Sequence, residues 1–141
     1  MLDLTLAHFG SFVAGWLAEW VVGLVFTPIN LIIGAISAVS LIKVLRSAGF
    51  NQDQVERINA SHTLGWVFIS GVIGGLAAIL ASVFVFHYFA LKPGLLMLGI
   101  FLALQFIPIP KQLPGWQRQN LWYSNMGGVA GLLLGWWLYY P

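Results

Sequence analysis

The stretch Thr63–Tyr88, TLGWVFISGVIGGLAAILASVFVFHY, decides how the rest of the chain is read. It contains no Asp, Glu, Lys or Arg. It also exceeds the roughly 20 apolar residues a helix needs to cross the hydrocarbon core of a bilayer. Gly71 and Gly75 fall four residues apart within it, and Gly74, Ala78 and Ser82 continue a strip of small side chains. Glycine is a weak helix former, so its repetition on one helical face calls for a packing reason. In lipid, leucine gains nothing by hiding from equally apolar tails, and helices associate where small residues let backbones approach. A matching groove lies in GGVAGLLLGWW, Gly127–Trp137, where Gly127, Gly131 and Gly135 again recur every fourth residue. Gly34 and Ala38 add a weaker one. Gly71, Gly75, Ala78, Gly127, Gly131 and Gly135 are therefore read as helix-packing positions, within one protomer or between copies.

Composition agrees with a lipid solvent. The chain of 141 residues is 60% hydrophobic and 7% charged, against about 25% charged in ordinary soluble chains. Its mean hydropathy is +0.89. This predicts a single integral membrane domain over 1–141, all-α and polytopic. The pI of about 9.2 rests on six cations against four anions, and no basic run with interleaved aromatics exists, which sets nucleic acid aside. Cysteine is absent, so disulfides, thiolate metal sites and cysteine nucleophiles are excluded. MLDLTLAHFG lacks a basic n-region and is read as retained rather than cleaved.

Hydropathy and punctuation predict four apolar helices over about 28–46, 63–90, 92–107 and 121–140, preceded by an amphipathic helix over about 4–26. Pro28, with Thr27 as cap, suits a first helical position and is read as a hinge. In the N-terminal piece His8, Ser11, Gly15, Glu19 and Gly23 share one face, while Phe9, Phe12, Trp16, Trp20 and Val21 occupy the other. Such a helix lies in the interface or tilts through the membrane with its polar stripe toward a partner. Ser47–His62 is the water-facing connection, with Asn51 capping a short helix, an Asp53–Arg57 pair and a chance-level sequon at Asn59. Lys92-Pro93-Gly94 marks a turn, and Pro108, Pro110 and Pro114 make a stiff extended loop. Lys43, Arg46, Arg57, Lys111 and Arg118 flank loops one and three, with Lys92 alone in the second. The positive-inside rule then places loops 47–62 and 108–120 in the cytoplasm and the C-terminus outside, by default in a bacterial inner membrane. Trp136, Trp137, Tyr139 and Tyr140 would anchor the outer interface, and Trp116, Trp122 and Tyr123 the inner one.

Chemistry-bearing residues are few. Glu19 is the one carboxylate inside an apolar stretch, and intramembrane ionisable groups are costly enough to suggest function. His8 lies on its face but about 16 Å away along the axis, so the two could line a path without touching. Gln105, near Pro108, could glue helices or line a pore. Asn30, Ser37, Ser40, Ser70 and Ser82 carry the same ambiguity, and Ser124 and Asn125 read as caps or contacts. His62 and His87 bracket the longest apolar stretch about 37 Å apart and cannot share a metal or haem. No paired carboxylates, Ser/His pair, metal motif or phosphate loop appears, so no catalytic residue, cofactor or metal is expected.

Three functions follow as expectations. The first is a non-enzymatic packing subunit of a homo- or hetero-oligomeric membrane complex, with the lipid bilayer and other subunits as partners. The second is a small ion or solute channel or transporter with Glu19, His8 and Gln105 on its pathway. The third is an immunity-type inhibitor of a membrane-inserting toxin.

Overall fold

The computed structural model describes residues 1–139 and consists of four helices: α1 Leu2–Ser47, α2 Gln52–Tyr88, α3 Leu95–Gln105 and α4 Gly115–Tyr139. Tyr140, expected to end the last helix, lies outside the described residues. Among the described residues two helices, α1 and α2, are long and apolar enough to cross a membrane. Four such helices were expected and two meet that measure: α3 has 11 residues and reaches only about 16 Å at 1.5 Å per residue, while α4 opens on the polar run GWQRQN.

A correction concerns Pro28. It sits inside α1, a single helix of 46 residues, so the separate pieces 4–26 and 28–46 are one rod. A proline removes one ladder bond and crowds the preceding turn, yet α2 holds α1 on both sides of it. Before Pro28, Ser82 donates to the Ser11 carbonyl (3.1 Å). Beyond it, Asn30 donates its amide to Ser70 and Ser37 meets His62. These contacts run antiparallel, so residues 4–26 lie along α2 rather than flat and apart.

The first connection is shorter than expected, because α2 already begins at Gln52. Asn51 caps it reciprocally: its side chain accepts from the Gln54 N–H (2.9 Å), and Gln54 accepts from the Asn51 N–H (3.1 Å). This is the capping-box arrangement. α1 ends with the Gly49 N–H on the Arg46 carbonyl and the Phe50 N–H on that of Leu45, with Gly49 at φ 89°. α2 ends with the same pair of bonds, from Ala90 to His87 and Leu91 to Phe86, but there the left-handed residue is Ala90, φ 54°. Both are Schellman stops, one with the preferred glycine and one without.

α2 is the hub, packed most extensively against α4 and α1. Gly71 lies against Ser124 and Gly127, Gly75 against Gly128 and Leu132, and Gly135 against Ile79 and Leu76, so α2 and α4 run parallel. A Cβ at Gly71, Gly75, Gly127 or Gly131 would overlap a carbonyl oxygen of the facing helix. Backbone meets backbone there. The apolar core gathers where the N-terminal turns of α1, the C-terminal half of α2, α3 and the C-terminal half of α4 come together: Ala7, Ala78, Ile79, Phe86, Met97, Phe101 and Leu132 are all buried.

Candidate functional site

α3 stops halfway along the bundle, and its stop creates the site. Pro108 has no N–H to give to Leu104 and disfavours helix at Ile107. The chain leaves α3 at Phe106, whose N–H turns back to the Ala103 carbonyl (3.1 Å), and continues without helix until Gly115. The amide of Gln105, in the last residue of α3, fills the space beside Gly128 of α4. Glu19 of α1 reaches the space beside Gly74 of α2, with its Cγ 3.3 Å and its Oε1 3.6 Å from where a Cβ would stand. Gly74 sits near the middle of the uncharged stretch Thr63–Tyr88, so both polar side chains arrive at half-depth.

They line one cleft of about 730 Å³. α1 supplies Phe12, Trp16, Glu19, Trp20 and Thr27 along one edge, α3 supplies Phe101, Leu104 and Gln105, and α4 adds Asn125. Glu19 is the one ionisable residue in the lining. The faces of α1 read as opposite in sequence meet here, because Glu19 and Gly23 sit beside the Phe12–Trp16–Trp20 stripe on a 3.6-residue helix. Trp16 and Trp20 are tilted on one another with centroids 5.8 Å apart, and Phe12 stacks on Phe101 at 6.3 Å.

A second cleft of about 460 Å³ shares Thr27 and continues toward the α1–α2 turn, lined by Asn30, His62, Trp66, Ser70 and Ser124 among others. Its polar groups form a chain. Asn30 donates to Ser70, and Ser70 donates to the Trp66 carbonyl (3.0 Å). The Trp66 indole donates to His62 Nε2 (3.2 Å), and the Ser37 hydroxyl lies 3.1 Å from the same nitrogen. Since an indole N–H can only donate, Nε2 is the lone-pair nitrogen and the neutral ring carries its proton on Nδ1.

Of the three pathway residues read from sequence, Glu19 and Gln105 share the cleft and His8 does not. His8 Nδ1 lies 2.8 Å from the Leu4 carbonyl and must donate to it. Its Nε2 is buried without a hydrogen-bond partner among the described residues, and the ring meets Phe86 edge-on at 5.0 Å. Sequence reasoning read Thr27 as a cap, Asn125 as a cap or contact, and Phe12, Trp16 and Trp20 as the face opposite the polar one. Their spacing, 12, 16, 20 beside 19, 23, 27, is the signal that joins them. No group of three or more His, Asp or Glu that could hold a metal ion occurs among the described residues. No protein-family model, curated protein or solved structure matches the chain.

Proposed function

We propose that this chain is a small multi-pass membrane transporter or channel whose solute site is the half-depth cleft, with Glu19 as its charged group and Gln105 as its polar partner. The observation that carries this reading is that Glu19 and Gln105 line one cleft at the end of a half-length helix. Non-helical backbone at membrane depth is tolerated where it is buried in protein or lines a water-filled cavity, and transporter sites form at such helix breaks near the midplane. The second cleft offers a polar approach from the α1–α2 turn, through Thr27, Asn30, Ser70 and His62. That end carries Lys43, Arg46, Arg57 and Arg118, and the positive-inside rule favours it as cytoplasmic. The packed core lies toward the other end.

The test is flux into lipid vesicles reconstituted with the purified protein, read with a pH-sensitive dye under proton and potassium gradients, each with and without an added organic cation. Wild type should conduct or exchange above empty vesicles, and Glu19→Gln should lower the rate at least tenfold. Vesicles as tight as protein-free ones would argue against the reading.

A packing subunit of a larger membrane complex is the second reading, and it draws on α1. None of the most apolar stretch of α1 is buried within the chain, and Leu24, Leu31, Ile32 and Ile36 are 62–69% exposed, so lipid or another subunit covers them. The glycine strips lend this reading less than they did in sequence, because Gly71, Gly75, Gly127 and Gly131 are occupied by contacts between α2 and α4.

A further inference from the structure

We infer that the half-depth cleft is built for a lipophilic organic monocation, a quaternary ammonium or phosphonium with aryl or alkyl substituents, rather than for a bare inorganic ion. This rests on the reading of the cleft as a solute site and names its ligand class.

The charge balance of the lining fixes the sign. Glu19 contributes one carboxylate, and no Lys, Arg or His lines the cleft to neutralise it. The number and kind of donors fix the class. A hard cation such as Ca²⁺ takes 6–8 oxygens at 2.3–2.6 Å, while Mg²⁺ demands near-octahedral geometry. The lining offers one carboxylate, two amides and a threonine hydroxyl, spread around a cleft of about 730 Å³. That is too wide and too poor in oxygen to replace a small ion's hydration shell. It lies within the size range of sites that hold drug-sized molecules.

The remaining wall is aromatic. Phe12, Trp16, Trp20 and Phe101 line the same space. A cation over an aromatic face is attracted by the ring quadrupole, most strongly by tryptophan and more so when desolvated. A monocation whose charge is spread over aryl or alkyl groups sheds little hydration on entry. It presents apolar surface to Leu104 and Ile107 and places its charge toward Glu19. Trp16 and Trp20 are 51% and 58% exposed, so the aromatic wall is open on its outer side, and such a ligand could enter from the surrounding lipid.

The experiment uses the full-length protein in detergent and two probes of matched shape and opposite sign, tetraphenylphosphonium and tetraphenylborate, titrated calorimetrically. Tetraphenylphosphonium should bind saturably and tetraphenylborate should not. Glu19→Gln should weaken the cation at least tenfold, and wild-type affinity should fall on acidification because a proton competes for the same carboxylate. Trp16→Leu, which keeps an apolar side chain but removes the ring, should cost on the order of 5- to 30-fold. Equal binding of the two probes, or an unchanged Glu19→Gln variant, overturns the inference and leaves an apolar groove for lipid or detergent. Absence of tetraphenylphosphonium binding beside Glu19-dependent proton or potassium flux overturns the ligand class and leaves the proposed function standing. Absence of both binding and flux overturns both.

Discussion

The two ends of the bundle are held together by different forces. At one end α1, α2, α3 and α4 converge, and Phe86, Ile79, Met97 and Leu132 are at most 1% exposed. At the other end α1 and the start of α2 form a long hairpin flanked by the first turns of α4. Between residues 16 and 70 Val55 is the one buried residue. The first end closes by apolar interdigitation and by the glycine seam of α2 and α4. The second closes by side-chain hydrogen bonds between α1 and α2, Asn30 to Ser70 and Ser37 with His62, whose Nε2 also accepts from Trp66. The clefts lie at and beyond the boundary between them, on the polar side. A tightly packed end supplies a rigid floor, and the hydrogen-bonded end is held more weakly, because interhelical bonds in lipid contribute only about 0.6 kcal/mol on average.

The largest expected effect is at the seam. Gly131→Leu drives a side chain into the Val72 carbonyl and the Leu76 backbone, and overpacking of this kind costs about 3 kcal/mol or more where backbone cannot yield. Unfolding by graded addition of denaturing detergent should show a collapse of stability in the chain itself. A variant that folds normally and loses only its oligomeric state would show that the seam's work lies between copies.

A smaller effect is expected at the polar end. Asn30→Ala removes the link to Ser70 and should cost about 0.6 kcal/mol, at most about 1.7, by the same unfolding measurement. A loss as large as that of Gly131→Leu would erase the distinction between the two ends.

An effect of comparable size, and in one case of opposite sign, concerns the helix stops. Ala90→Gly relieves a left-handed alanine and should stabilise the packed end by about 1 kcal/mol. Gly49→Ala at the other turn should do the reverse, since its φ is 89°. If neither variant shifts the midpoint, these turns fray before the helices separate.

Much of the element pattern was legible in order of residues. The apolar run Thr63–Tyr88, the stop imposed by Lys92-Pro93-Gly94, and the non-helical stretch from Pro108 to Pro114 follow from local rules that need no neighbours. Asn51 and Gln54 sit at capping-box spacing, yet the helix they start was expected to be short, because the polar run after them hides its continuity with α2. Pro28 shows the limit of local rules. A two-residue break can be overridden when a partner helix grips both flanks, and that grip appears nowhere in the residues near the proline. The candidate site was half legible. Glu19 and Gln105 stand out as polar groups in apolar runs, whereas the aromatic wall and Asn125 depend on how far α1 is rotated against α3 and α4.

Sequence by itself therefore determined the all-helical character, the apolar run Thr63–Tyr88 and the close-approach glycines, because hydropathy, proline and glycine act through the backbone that bears them. Tertiary structure alone decided that α1 runs unbroken through Pro28, that α3 ends at half-depth and that Glu19 faces the same space as Gln105. Those facts depend on helix rotation and depth, which are set by side chains 50 to 90 residues apart in the chain and by the requirement that glycine backbones touch.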